Sequence, residues 1–369
     1  MRNYTHYYWL DLIRFISAFA VVVSHTSMVF YTNYEGLAPE YHTTGNAMLY
    51  LMLRSGAEAV YIFFILSGFL VGGKAIERIQ NKTFNIRSYT IDRSVRILLP
   101  LIPALIITYI VNSIIGDNYS IWDYTGNLLS LQNIFVPPVN GVLWSLSYEV
   151  WFYIIMGGIG LYFTPPPHGN YNKQIGLIIL FIGFMIFTKL NITSMFVWFT
   201  GALVFLFVPF KMKAKGLVLT TILLLVSWFY IKQTFRDELL PWLPTPSRSV
   251  INLFFALSAS LLVAHFSTCI PKRKWSIKLD KIGTSLSKFS YTLYLVHYPI
   301  LLLLREWGVP VSNKQNPESI FMYLGISVLV CFPAYLIYLC SEKHTKSVKE
   351  WVNGKVDIAH KMIKNKVYE

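Results

Sequence analysis

Charge is scarce in this chain, and that scarcity is the first constraint on what it can be. Only 14% of its 369 residues are Asp, Glu, Lys or Arg, where a soluble domain carries about 25%. A soluble enzyme of this size is excluded. Acidic residues are the scarcest: 18 Asp and Glu stand against 32 Lys and Arg, a formal net charge of +14. Such an excess invites a nucleic-acid reading, but the basic residues are not gathered on one domain, so no nucleic-acid partner is expected. Cysteine is nearly absent, and three residues rule out a disulfide framework. Cys331 and Cys340 fall in a late apolar run and Cys269 at the end of another, where they read as reduced packing residues. No metal cofactor is expected. An internal repeat of fixed period is also missing, which excludes a solenoid.

Apolar residues fill the space that charge leaves. They make up 54% of the chain, with a mean hydropathy of +0.49. The pattern predicts an all-α, polytopic transmembrane bundle of about ten spans, near residues 10–30, 57–74, 97–115, 142–162, 175–188, 192–209, 216–232, 249–267, 286–304 and 319–340. A tight turn at Lys189-Leu190-Asn191 joins the short fifth span to the sixth. With the N-terminus inside, inner loops and tails hold about 24 of the 32 basic residues and outer loops about 7. Both termini are therefore expected in the cytoplasm and the protein in the inner cell membrane. The inner clusters run from Lys74 to Arg96, Lys211 to Lys215, Pro271 to Lys288 and onward from Lys343, and most read as plain topology signal. The outer segments are Tyr31–Gly56, Gly116–Gly141 and stretches around Arg236 and Lys314. Residues 1–340 form the membrane domain, and 341–369 a basic tail too short for a core of its own. The first run is too long for a signal-peptide core and lacks a small-residue cleavage pattern, so it is expected to be a retained helix.

That first run, LDLIRFISAFAVVVSHTSMVF, carries Asp11, Arg14 and His25. An ionisable side chain inside a membrane helix costs roughly 2.5–3.5 kcal/mol on insertion scales, so each needs a reason. Arg14 and His25 are eleven residues apart, about three turns and roughly 16 Å along one face, with Asp11 a turn from Arg14. This polar stripe must look into protein or a cavity. Arg93 and Arg96 lie one turn apart at the inner face, as anchors or as a site. Glu149, in VLWSLSYEVWFY, falls near the depth of His25, which permits a His–Glu pair. Glu58 and His265 read as structural, and His297 as a packing or pocket residue rather than a base. The Ser67-Gly68 pair is explained by close helix approach.

LDLIRFISAFAVVVSH, FFILSGFLVG, RSVRILLP, LWSLSYEVWFY and SYTLYLVHYPI resemble, in order, the signature segments of the acyltransferase 3 family, membrane O-acyltransferases of bacterial surface glycans. The resemblance runs from about Leu10 to about Cys340. Its Arg-x10-His element falls on Arg14 and His25, its Arg-x-x-Arg element on Arg93 and Arg96, and its Trp-Ser-Leu-x-x-Glu element on Trp144 to Glu149. The resemblance implies acetyl-CoA, or another cytoplasmic acyl-CoA, as donor substrate, and a sugar hydroxyl on an exported or lipid-linked glycan as acceptor. Arg93, Arg96 and Arg14 are then expected to hold the donor, with Asp11 fixing the Arg14 rotamer. His25 would be the general base and Glu149 its orienting partner, with Trp144, Ser147 and His297 binding acceptor. A passage would join Arg14 to His25. A covalent acyl-histidine stays open as a mechanism. One departure is visible: Asp92 stands where the family often has another basic residue before Arg-x-x-Arg. A proton-coupled secondary transporter is the alternative from another class, since buried Asp, Arg, Glu and His also describe a proton relay.

Overall fold

In the computed structural model, which describes residues 7–164, 171–234 and 247–367, the apolar runs are helices, and no β-strand forms among the described residues. In chain order the helices are α1 (Leu10–Phe30), α2 (Thr44–Leu53), α3 (Gly56–Ser67), which passes through a π turn at Gly68–Gly73 into α4 (Lys74–Gln80), α5 (Ile86–Ile115), α6 (Ile121–Leu128), α7 (Trp144–Phe163) and α8 (Tyr171–Phe187). There follow α9 (Ile192–Phe205), α10 (Ala214–Thr234), α11 (Arg248–Ser267), α12 (Lys274–Ser287), α13 (Ser290–Glu306), α14 (Pro317–Leu329), α15 (Cys331–Cys340) and α16 (Thr345–Val367). Seven helical stretches are long and apolar enough to cross a bilayer, and α8 and α9 supply shorter apolar helices. The chain is thus an all-α polytopic bundle, and each expected span falls on one or two helices. The outer stretch around Arg236 lies outside the described residues.

The first helix is the hub. It packs against α3, α12, α13 and α14, and α13 in turn packs against α5. On α13, Leu293, Leu295, Val296, His297 and Leu301 are completely buried. The close approach expected at Ser67-Gly68 is real. A methyl on Gly68 would lie 1.9 Å from the Trp198 carbonyl oxygen, and one on Gly201 2.2 Å from that of Ile65. Backbone therefore touches backbone where α3 meets α9, which only glycine permits. Beside this seam, Lys232 of α10 donates to Glu58 at 2.9 Å and to the Arg54 carbonyl at 2.8 Å, with both charged side chains buried. Glu58 is structural, as is His265, whose Nδ1 accepts from the Met212 amide at 3.1 Å.

Two stretches read as plain topology signal are built structure. Residues 274–287 form α12, whose buried Ser276, Gly283 and Ser287 make one face; Gly283 lies against Leu12 of α1. The basic tail forms α16, which docks on α5 through Lys349 to Asp92 and Arg87 to Asp357, the latter at 2.7 Å. The N-terminal end of α5 also reaches further back than its apolar run. Asn85 accepts from the Ser88 amide at 2.9 Å, starting the helix at Ile86 and carrying Arg93 and Arg96 on it.

Candidate active site

Arg14 stands one turn from Asp11, whose carboxylate accepts its guanidinium hydrogen at 2.7 Å. The guanidinium lines a cavity of about 330 Å³ between α1, α3, α4, α5, α7 and the start of α13. Lys74, Arg78, Arg93 and Arg96 line it too, so five cations face one space. Its single carboxylate is Glu149, to which the Tyr153 hydroxyl donates. That hydroxyl is held by Ser67 at 3.0 Å, and Ser67 accepts from the Trp198 indole at 3.1 Å, so a chain of donors ends on Glu149. Arg93 stacks over the Tyr153 ring at 5.6 Å. No ion pair closes on Arg93 or Arg96 among the described residues. Cations gathered in this way repel one another until an anion joins them. The Tyr291 hydroxyl is buried on the same wall with no hydrogen-bond partner. Asp92 is absent from the lining and is neutralised by Lys349, so this acidic departure faces the C-terminal helix and not the cation-lined cavity.

The segment between α5 and α7 is partly built into the bundle: after α6, buried amide side chains satisfy its irregular backbone. Asn112 donates to the Val139 carbonyl at 2.9 Å and Gln132 to that of Leu143 at 2.7 Å. Asn140 donates to Leu295 of α13 at 2.9 Å. That last bond has a cause in sequence. Pro299 has no amide hydrogen, so the Leu295 carbonyl one turn earlier loses its helical donor, and Asn140 replaces it. The end of this segment fixes where α7 begins. Tyr294 donates to Val142 at 3.1 Å and meets Ser145 at 2.6 Å, so α7 starts beside Tyr294, in the first half of α13.

At the other end of the polar stripe, His25 Nδ1 lies 2.9 Å from His297 Nε2. His297 Nδ1 in turn lies 3.1 Å from the Leu293 carbonyl oxygen. His297 is completely buried and His25 half-buried, so His25 is the more accessible ring of the pair. Tyr298 stands edge-on to His25 at 5.3 Å. Arg54 brings a positive charge near, donating to Ser27 Oγ at 3.1 Å.

The pairing of His25 with Glu149 is corrected: the imidazole meets His297, and the carboxylate joins the arginine cavity. The start of α7 explains the difference. Because α7 starts beside Tyr294, Glu149, five residues past Trp144, lies about 7.5 Å further along α7 and lines the cavity with the arginines. The cavity also stops short of the expected passage. Its lining includes Arg14 but neither histidine. Phe63 on its wall packs on Tyr294 with ring centres 5.6 Å apart, and Tyr294 on His297 at 6.0 Å. Trp144 and Ser147 do not line it either. Ser147 is buried and donates to the Trp144 carbonyl at 3.0 Å, while the indole packs edge-on against Tyr148. Sequence reasoning missed Lys74, Arg78, Tyr153 and Tyr291 on the cavity wall. The signal for the first two was their spacing of four on one helix face.

An all-helical membrane bundle with a cation-lined cavity at one end and paired imidazoles at the other defines the class. A family model described as an acyltransferase domain matches residues 7–338, and the chain belongs to that family. A protein named "O-acetyl transferase", from Shigella phage Sf6, is 27% identical over 165 residues, which is 40% of this chain and 44% of that protein. The match thus spans less than half the length of that relative. No solved structure matches.

Proposed function

We propose that the protein is a membrane O-acyltransferase that moves an acetyl or other short acyl group from a cytoplasmic acyl-CoA to a hydroxyl of a cell-surface or lipid-linked glycan. The observation that carries this is the cavity in which Arg14, Lys74, Arg78, Arg93 and Arg96 converge around one carboxylate. Inside a membrane bundle such a cluster calls for an anionic ligand, and the planar fork of arginine suits phosphate. The phosphates of coenzyme A occupy this space from the cytoplasmic side, and the pantetheine arm points along α1 toward His25. For the thioester to arrive, Phe63 and Tyr294 must part. His25 then takes the proton of the acceptor hydroxyl as its oxygen attacks the thioester carbonyl. The carbon–sulfur bond breaks, and the leaving thiolate takes the proton back from the imidazolium. The family and the name of the phage relative both support acyl transfer, and that name favours acetyl. Glu149 belongs to the donor cavity in this scheme, not to the base.

The test uses radiolabelled acetyl-CoA offered to inverted membrane vesicles, with label counted in extracted glycan. His25→Ala should abolish incorporation at an unchanged level of folded protein. Arg96→Ala should raise the acetyl-CoA concentration needed for half-maximal rate. Normal incorporation by His25→Ala would refute the base role, and pH-driven solute uptake without incorporation would point to transport.

A further inference from the structure

We infer that His297 is a positioning residue that selects the tautomer of His25, and that the nitrogen which takes the acceptor's proton is His25 Nε2. This rests on the reading of His25 as base. Leu293 O can only accept, so the 3.1 Å contact with His297 Nδ1 places a hydrogen on that nitrogen. A neutral imidazole carries one ring hydrogen, and His297 is wholly buried, where the neutral form is favoured. Its Nε2 is therefore a bare acceptor. The atom 2.9 Å away is His25 Nδ1, which must donate. Neutral His25 then has its hydrogen on Nδ1 and an open lone pair on Nε2. Reading the two contacts in sequence leaves no other assignment with both bonds made and both rings neutral.

This is the logic of a catalytic triad with a neutral third member. A carboxylate would both orient the base and stabilise its charge. A second imidazole orients it, and offers a dipole already polarised by the Leu293 carbonyl. The orientation is secured by the fold: α13 and α1 pack along their lengths, Tyr298 stands edge-on to His25, and Asn140 holds the carbonyl freed by Pro299 two residues before His297. When His25 becomes an imidazolium during the reaction, its Nδ1–H bond to His297 survives, so the ring need not turn between proton uptake and return.

The experiment pairs activity with direct observation of the tautomer. Full-length protein labelled with 15N-histidine is studied in proteoliposomes, the His25 signals being those missing in His25→Asn. The expected result is Nδ1 protonated and Nε2 bare at neutral pH; the reverse assignment would overturn the inference whatever the activity. In vesicles with radiolabelled acetyl-CoA, His297→Leu should lower kcat by at least about tenfold with little change in the KM for acetyl-CoA. His297→Gln, which keeps an acceptor at the same reach, should recover most of the loss. If His297→Leu does not fold, the tautomer spectrum and the Gln variant still decide. Full activity of a folded His297→Leu with an inactive His25→Ala would sink the positioning role and leave the base intact. Activity in His25→Ala would remove both.

Discussion

The bond from Asn140 to the Leu295 carbonyl can be tested by removing its cause as well as its donor. Asn140→Ala deletes the amide and leaves a buried carbonyl with no partner, because Pro299 cannot supply one. An orphaned buried acceptor costs about 1–3 kcal/mol. In a Pro299→Ala background the residue at 299 regains an amide hydrogen one turn from Leu295, so the same deletion no longer orphans that oxygen. The weaker contact to Thr108 at 3.3 Å and the bond from the Val142 amide at 3.2 Å are lost in both backgrounds and cancel. The coupling energy between the two substitutions should therefore be about 1–3 kcal/mol. It can be measured by SDS-titrated unfolding in mixed micelles, followed by the fluorescence of the chain's 10 tryptophans. Additivity to within about 0.5 kcal/mol would show that the carbonyl does not depend on Asn140.

Three further outcomes follow from the packing and the cavity. Lys232→Met strands the buried Glu58 carboxylate and should cost about 3–5 kcal/mol in the same unfolding assay, most of it recovered by adding Glu58→Leu. Gly68→Ala drives a methyl into the Trp198 carbonyl oxygen and should destabilise by about 1–3 kcal/mol, since backbone cannot yield as a side-chain tip would. Tyr291→Phe should leave the melting temperature unchanged, because its hydroxyl has no partner in the fold, and should raise the KM for acetyl-CoA by about tenfold or less if that hydroxyl meets the donor.

Hydropathy and cap residues carried much of the fold. The apolar runs lie on helices, and the Lys189-Leu190-Asn191 turn lies where the charge and Asn suggest, with Asn191 accepting from the Thr193 amide. Length and composition do not report which polar side chains are buried. Gly116–Gly141 has the polarity of a surface loop, yet its Asn127, Gln132 and Asn140 are buried, spent on neighbouring backbone and on α13. A window average counts such side chains as exposed. The partner of His25 was missed for a related reason: α13 and α1 lie far apart in sequence, so His297 reads as a packing or pocket residue with nothing to tie it to His25. Arg14 with Asp11 was legible because helical spacing alone brings them together. Lys74 and Arg78 were hidden by the topology rule, which explains basic residues near a span end without asking where they point.

The contact between Phe63 and Tyr294 has a meaning beyond the route of a thioester. A cell membrane stores a voltage, and each elementary charge crossing it is worth about 2.3 kcal/mol per 100 mV. On the proposed donor route, a cationic vestibule entered from one face and a pair of proton-carrying rings served from the other would short that battery if they were joined by an open bore. In the proposed scheme two aromatic rings, Phe63 and Tyr294, are the insulating septum. Catalysis and electrical integrity then compete for the same few ångströms, and trimming Phe63 to alanine should ease the passage of the arm while making the cell leak protons.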